Sequence, residues 1–329
     1  MTIRRARGTM ACFMVMILFT IGNSPTAMGA DVVIGVGNSA KIHYYAGRAV
    51  CREVGRAVKG MSCEAQEVEG GDAAEPVAVL SSLANAAMEM GIVQSDWQHH
   101  AVKGTGPFKF VDVKFDNLRA MFSLHSEPFT LIARRDSGIN GLDDLPGKRV
   151  NLGTPGSPER EMMKMVMTAK GWTRKTFQYV DELSGSEQSL ALCHNRVQAI
   201  ISTAAHPNRA VAQAIDLCDA KIVEISGPKI DKLIADNNFL AKTTVPGGLY
   251  KGMDKPVNTF GIKVVAMSSS DMEDDLIYTV VKSVFDRFDR FKRSHRSLGS
   301  LSPQRMTRDG ITAPLHPGAL RYFREKGMM

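Results

Sequence analysis

From residue 31 onward, short apolar runs alternate with longer stretches in which apolar residues recur at helical spacing, the pattern of an α/β protein with mainly parallel sheets. Val32-Val33-Ile34 reads as a buried strand, followed by the turn Gly35-Val36-Gly37-Asn38-Ser39. A helix from about Lys41 to Val58 then places Ala46, Ala49, Val50 and Val54 on one face. Met90 to Val93 is a further strand that runs into the polar cluster Gln94-Ser95-Asp96-Trp97, and Phe129 to Ala133 is another extended segment. The opening then repeats roughly 120 residues on: strand Arg149 to Leu152, turn Gly153-Thr154-Pro155-Gly156-Ser157-Pro158-Glu159, and a helix with Met162, Met163, Val166 and Met167 on its apolar face. Two similar lobes, each opening with strand, glycine turn and helix, are the simplest organisation. A chain of 329 residues is also long enough to split into two cores.

The N-terminus changes where this protein is expected to work. Arg4, Arg5 and Arg7 precede an apolar zone from Met10 to Ile21 and the small-residue stretch Ala27-Met28-Gly29-Ala30, the three zones of a secretory signal peptide, here residues 1–30. An uncleaved anchor is the alternative. The apolar zone is short for a membrane span, and Cys12 inside it is not placed for lipid attachment. Removing the three arginines lowers the formal charge from seven to four. With 7% aromatic residues and no basic run interleaved with aromatics, no nucleic-acid partner is expected. Export to the periplasm lets the four remaining cysteines pair, and their placement predicts two local disulfides, Cys51 with Cys63 and Cys193 with Cys218, rather than free thiols.

Candidate chemistry is sparse. Both glycine turns lead into helix N-termini, where free N–H groups and the helix dipole favour an anion, although ordinary strand-to-helix turns look the same. Gly35-Val36-Gly37-Asn38-Ser39-Ala40 nearly fits a dinucleotide fingerprint, but an exported chain does not normally meet that cofactor, so no cofactor is expected. Neither a G-x-S-x-G elbow, an H-E-x-x-H helix nor a Gly-Lys-Ser phosphate loop occurs, which leaves no catalytic set. The adjacent His99 and His100 point in different directions on a helix and lack the spacing of metal ligands, so no metal is expected either. His206, after the buried strand Ala199-Ile200-Ile201, stands where parallel sheets hold ligands; a satisfied structural histidine is the competing reading.

Eight segments in register carry a resemblance: Gly35-Val36-Gly37 with His43-Tyr44; Gly91 to Asp96; Gly104-Thr105-Gly106-Pro107-Phe108; Asp136-Ser137-Gly138-Ile139; Leu145 to Val150; Gly153 to Ser157; Val245 to Gly252; and Pro314 to Ala319. Together they resemble the TAXI family of extracytoplasmic solute-binding proteins, which serve TRAP-type transporters. The resemblance implies a two-lobed periplasmic binding protein of the class II-like kind, each lobe a mixed, mainly parallel sheet flanked by helices. Lobe I would be discontinuous, residues 31–127 and 258–329, with lobe II at 128–257. It implies no enzyme, but a small organic acid (a dicarboxylate, an oxoacid or a glutamate-like molecule) captured between the lobes and passed to an ion-gradient-driven membrane permease. A secreted α/β enzyme acting on a small carboxylate and a protein-binding surface antigen are the alternatives. The expected ligand-binding residues are Asn38 and Tyr44 from the first turn, Gln94 and Trp97 from the strand end, Gly156, Ser157 and Glu159 at the second helix start, and His206 across the cleft. One departure bears on specificity: where family members carry a further anion-binding helix start, this chain has Gly70-Gly71-Asp72-Ala73-Ala74-Glu75-Pro76, and an acid there repels a carboxylate.

Overall fold

The computed structural model describes residues 32–37, 42–68, 74–109 and 115–329. Asn38, the signal segment 1–30 and the Gly70–Ala73 part of the acid-bearing Gly70–Pro76 segment lie outside the described residues. Strand β1 (Val32–Val36) is apolar throughout because both its faces are covered, as parallel strands require. Helix α1 (Ile42–Ala57) packs on it through Ala46, Ala49, Val50 and Val54. Next come β2 (Cys63–Glu67), α2 (Ala74–Ala84), β3 (Met90–Gln94) and α3 (Ser95–Lys103). Strands β1, β2 and β3 pair in parallel, in the order β2-β1-β3.

Strand β4 (Leu118–Arg134) then runs for 17 residues. Beyond it lie β5 (Arg149–Asn151), α4 (Pro158–Lys170), β6 (Tyr179–Asp181), α5 (Gly185–Cys193), β7 (Ala199–Thr203), α6 (Arg209–Leu217), β8 (Ala220–Val223), α7 (Pro228–Asp236) and β9 (Leu240–Val245). The second long strand, β10 (Val257–Ser269), leads to α8 (Asp274–Phe285), α9 (Phe288–Lys292), α10 (Pro303–Met306) and α11 (Pro317–Glu325). Two strands belong to both halves of the sheet. Residues 118–128 of β4 pair antiparallel with β10, while residues 129–134 pair with β7 and β8. Conversely, β10 pairs with β9 over 257–262 and with β3 over 264–267.

The apolar core is divided accordingly. One cluster gathers β1, α1 and the C-terminal helices through Val280, Val284, Phe291, Tyr322 and Phe323. Another joins Phe129, Leu131, Val150, Met163 and Val166 with Phe260 and Ile262. The first half of β4 escapes the apolar pattern because buried Ser123 and His125 interrupt it, and the helical run breaks at Asp286-Arg287 between α8 and α9. Both predicted disulfides are present, Cys51–Cys63 with Cα atoms 5.0 Å apart and Cys193–Cys218 with Cα atoms 4.4 Å apart. The first ties α1 to the start of β2, and the second ties the end of α5 to the end of α6.

Candidate functional site

A cleft of about 1180 Å³ opens between α3 on one side and α4 and α7 on the other. Trp97, His99 and His100 line the first wall with Val77 and Pro107; Ser157, Met165 and Leu233 line the second, and Phe239 packs beside His99 and His100, ring centroids 5.0 and 5.8 Å away. Trp97 is held by an edge-on contact with Phe108, ring centroids 5.9 Å apart. At the base, the buried Ser95 hydroxyl donates to the Phe239 carbonyl (2.7 Å) and accepts from the Lys263 N–H (3.0 Å), joining α3 to the β9 and β10 segments. Gln98 fixes the rear of α3: its amide donates to the Gly310 carbonyl (3.1 Å), and its oxygen accepts from the Thr312 and Ala313 N–H groups (3.0 and 2.8 Å).

The electrostatics of the cleft are mixed. Lys164, Lys229 and Lys232 face Asp96, Glu161 and Asp236. Glu161 holds Lys164 at 2.7 Å and Asp236 holds Lys232 at 2.9 Å, whereas Lys229 donates to the Lys170 carbonyl at 3.3 Å. Asp96, in the first turn of α3, is pushed up to about 6, chiefly because burial disfavours its charged form; the bond it accepts from the Trp97 N–H opposes this. The walls thus combine aromatic surface, ammonium groups and a carboxyl that titrates near neutrality.

Of the expected binding residues, Trp97, Gly156 and Ser157 line this cleft. Ser157 does so differently from expectation. Its N–H donates to the Thr154 carbonyl within the Gly153–Gly156 turn (3.0 Å), and its hydroxyl caps the Arg160 N–H (3.3 Å). With Pro158 lacking an N–H, most of the first-turn donors of α4 are already engaged. Glu159 is half-buried and stands over Gly153, away from the cleft lining. Tyr44 packs against the α1 core and carries the Arg48 guanidinium 5.7 Å above its ring. Gln94 ends β3 with its buried carbonyl oxygen unpartnered among the described residues.

His206 differs most from its expected place across the cleft. Asn208 N–H donates to the Tyr250 hydroxyl (2.7 Å), the hydroxyl donates to His206 Nδ1 (2.5 Å), and Nε2–H then donates to Thr130 Oγ1 (2.9 Å), whose own proton goes to the Pro128 carbonyl (3.2 Å). This chain of donors assigns a neutral imidazole with the proton on Nε2. Burial holds His206 down at about 4 and pushes Tyr250 up to about 12. Both ring nitrogens are spent on structure, tying β4 to the segment after β7.

The first glycine turn also differs from an anion cradle. The Glu75 carboxylate seats directly against Gly37, where any side chain would displace it, so a buried acid occupies the ground next to the end of β1. Sequence reasoning did not single out Asp96, Phe239 or the three lysines. Asp96 was legible as part of the polar run at the end of β3, but Lys164 lies 68 residues further on, in α4, and Lys229, Lys232 and Phe239 lie more than 130 residues further on, in or just after α7, and none carries a local signal.

The long strands shared by both halves of the sheet, the separate core clusters on each half and the cleft between α3 and the α4–α7 wall define the class: a two-lobed periplasmic binding protein fold. The chain belongs to the NMT1-like family, matched over residues 34–327. It is similar in fold to a TctC solute-binding protein from Polaromonas, at 13% identity over 84% of this chain and 88% of that one, with a TM-score of 0.55. It is also similar to MatC from Rhodopseudomonas palustris, a structure with bound malate, at 15% identity over 90% and 96% of the two chains and a TM-score of 0.51. Among the described residues, no helix is long and apolar enough to cross a membrane.

Proposed function

We propose that the protein is exported to the periplasm, captures a small organic acid in the cleft between α3 and the α4–α7 wall, and delivers it to a membrane permease as the TAXI-type subunit of a TRAP transporter. The observation that carries this reading is the cleft itself, about 1180 Å³, with Trp97 on the α3 wall, Phe239 packed beside the α3 histidines and three lysines on the α4–α7 wall. A space of that order holds a small organic molecule, with apolar walls supplying contact and a few polar groups supplying orientation. The malate in the MatC structure is consistent with such a ligand on this fold.

In this reading residues 31–127 and 258–329 form one lobe, residues 128–257 the other, and β4 and β10 are the hinge. Trp97, Gly156 and Ser157 contact the ligand, with Asp96 and Phe239 added to the set. The test is mass spectrometry of ligand retained by protein purified without refolding, followed by calorimetry and small-angle scattering with that ligand. Tight binding of an organic acid with a fall in radius of gyration is expected, and Trp97→Ala should weaken it roughly tenfold or more by removing an aromatic wall. Unchanged affinity in Trp97→Ala refutes the cleft as the binding surface; binding without compaction refutes the hinge.

A further inference from the structure

We propose that His43, His125 and Glu127 form a binding site for one divalent transition-metal ion of the zinc class. One donor atom from each residue can be chosen so that all lie within 4.8 Å of one another. His43 stands in the first turn of α1, and His125 and Glu127 stand two residues apart on β4, a spacing that turns alternate side chains to one face of a strand. A register shift against β10 falls beside His125, between the Ser123 and Ser126 pairings, and bulges of this kind re-aim side chains. The histidine rings lie 5.7 Å apart, and His43 Nε2 is 3.1 Å from a Glu127 carboxylate oxygen.

The second observation is unspent ligand capacity. His125 is 1% exposed and His43 is 2% exposed, yet neither nitrogen of His125 nor Nδ1 of His43 has a hydrogen-bond partner among the described residues. A buried imidazole without any partner costs the desolvation of its polar atoms, and native structures rarely leave that uncompensated. A metal ion would take up one of the two unpartnered ring nitrogens of His125. It would also replace the proton bridging His43 and Glu127, which leaves to solvent as the ion binds.

Two neighbouring side chains, Lys263 and His295, have partners of their own. Lys263 pairs across the strands with Ser126, whose side chain alternates to the other face from His125 and Glu127, and its ammonium donates to the Ser126 hydroxyl (3.1 Å). His295 is stacked on Tyr45 at 5.5 Å and accepts from the Ser297 N–H (3.1 Å). Two imidazoles and one carboxylate are a donor set that zinc accepts with one tetrahedral position left for water or a solute oxygen.

The experiment uses the mature, disulfide-bonded protein stripped with chelator and titrated with Zn²⁺ alone, then with Co²⁺ while visible absorption is followed. One equivalent of Zn²⁺ and the intense visible bands of four-coordinate Co²⁺ are expected. His43→Gln/His125→Gln should bind at least about a hundredfold more weakly, and Glu127→Gln should bind measurably more weakly, because each loses first-sphere donors. His194→Gln, altering an exposed histidine outside the cleft, should bind as the unaltered protein does. Absence of one-equivalent uptake by the unaltered protein overturns the proposal, as does uptake unchanged in the double histidine variant. If that variant fails to fold, Glu127→Gln decides: unchanged Zn²⁺ affinity there overturns the proposal equally.

Discussion

The His206 network makes a pH-dependent stability prediction that can be worked through in full. His206 is held at about 4 in the folded protein, against an ordinary value near 6.5 when the chain is unfolded. Protonating Nδ1 requires charging a ring that is only 8% exposed and turning the Tyr250 hydroxyl proton away from it. Between these two values the unfolded chain binds more protons than the folded one, so stability rises with pH across the window and is lost as pH falls through it. Applying linkage to this one group gives a loss of about 2 kcal/mol between pH 7 and pH 4.5. The assay is urea unfolding at both pH values for the unaltered protein and for His206→Gln, which retains a donor for Thr130 Oγ1. At pH 7 the variant should be less stable by about 1 to 3 kcal/mol, because Tyr250 loses its buried acceptor. At pH 4.5 the gap should close or reverse. A stability difference between the two proteins that is the same at both pH values would refute the neutral, internally bonded His206.

Three further outcomes follow from the same structure. Reducing the Cys51–Cys63 and Cys193–Cys218 bridges, which close loops of 12 and 25 residues, should cost about 3 kcal/mol each by restoring entropy to the unfolded chain; unfolding curves with and without reductant measure it. Gly261→Ala should destabilise by about 3 kcal/mol or more, because a Cβ there would meet the Glu127 carbonyl and lie 2.8 Å from Pro128 Cα where β10 crosses β4; a melting temperature equal to that of the unaltered protein contradicts this. With Asp96 titrating at about 6, affinity for an anionic ligand should increase as pH falls through that value and lose the step in Asp96→Asn, measured by calorimetry between pH 5 and pH 8. A ligand whose ammonium pairs with Asp96 would show the opposite sign.

Fold class and disulfide pairing were readable along the chain because both are local in their signal. Apolar runs such as Val32-Val33-Ile34 and the helical spacing of Ala46, Val50 and Val54 report burial directly, since each element needs one covered face. The cysteine partners are 12 and 25 residues apart, on neighbouring elements of one strand-and-helix unit. The cleft was legible only where a motif already stood at an element boundary, as with Trp97 at the start of α3 and Ser157 at the start of α4. For His206, position after a strand was accurate but said nothing of direction: Thr130 and Tyr250, 76 and 44 residues away, take up both ring nitrogens.

The chain's own order of apolar and polar residues, its glycine turns and its cysteine spacing therefore determine an α/β protein with two similar lobe openings and two local disulfides, and the periplasmic-binding class came from the resemblance of its motifs. Which polar groups meet was decided by tertiary structure alone. Strands β4 and β10 thread both halves of the sheet, and that passage brings Phe239 beside α3 and sets His125 and Glu127 against His43, 82 and 84 positions distant. Periodicity specifies which face of an element is buried, but a pairing over such separations depends on register and crossing geometry. These are set by the packing of the whole sheet, and no local window of sequence contains them.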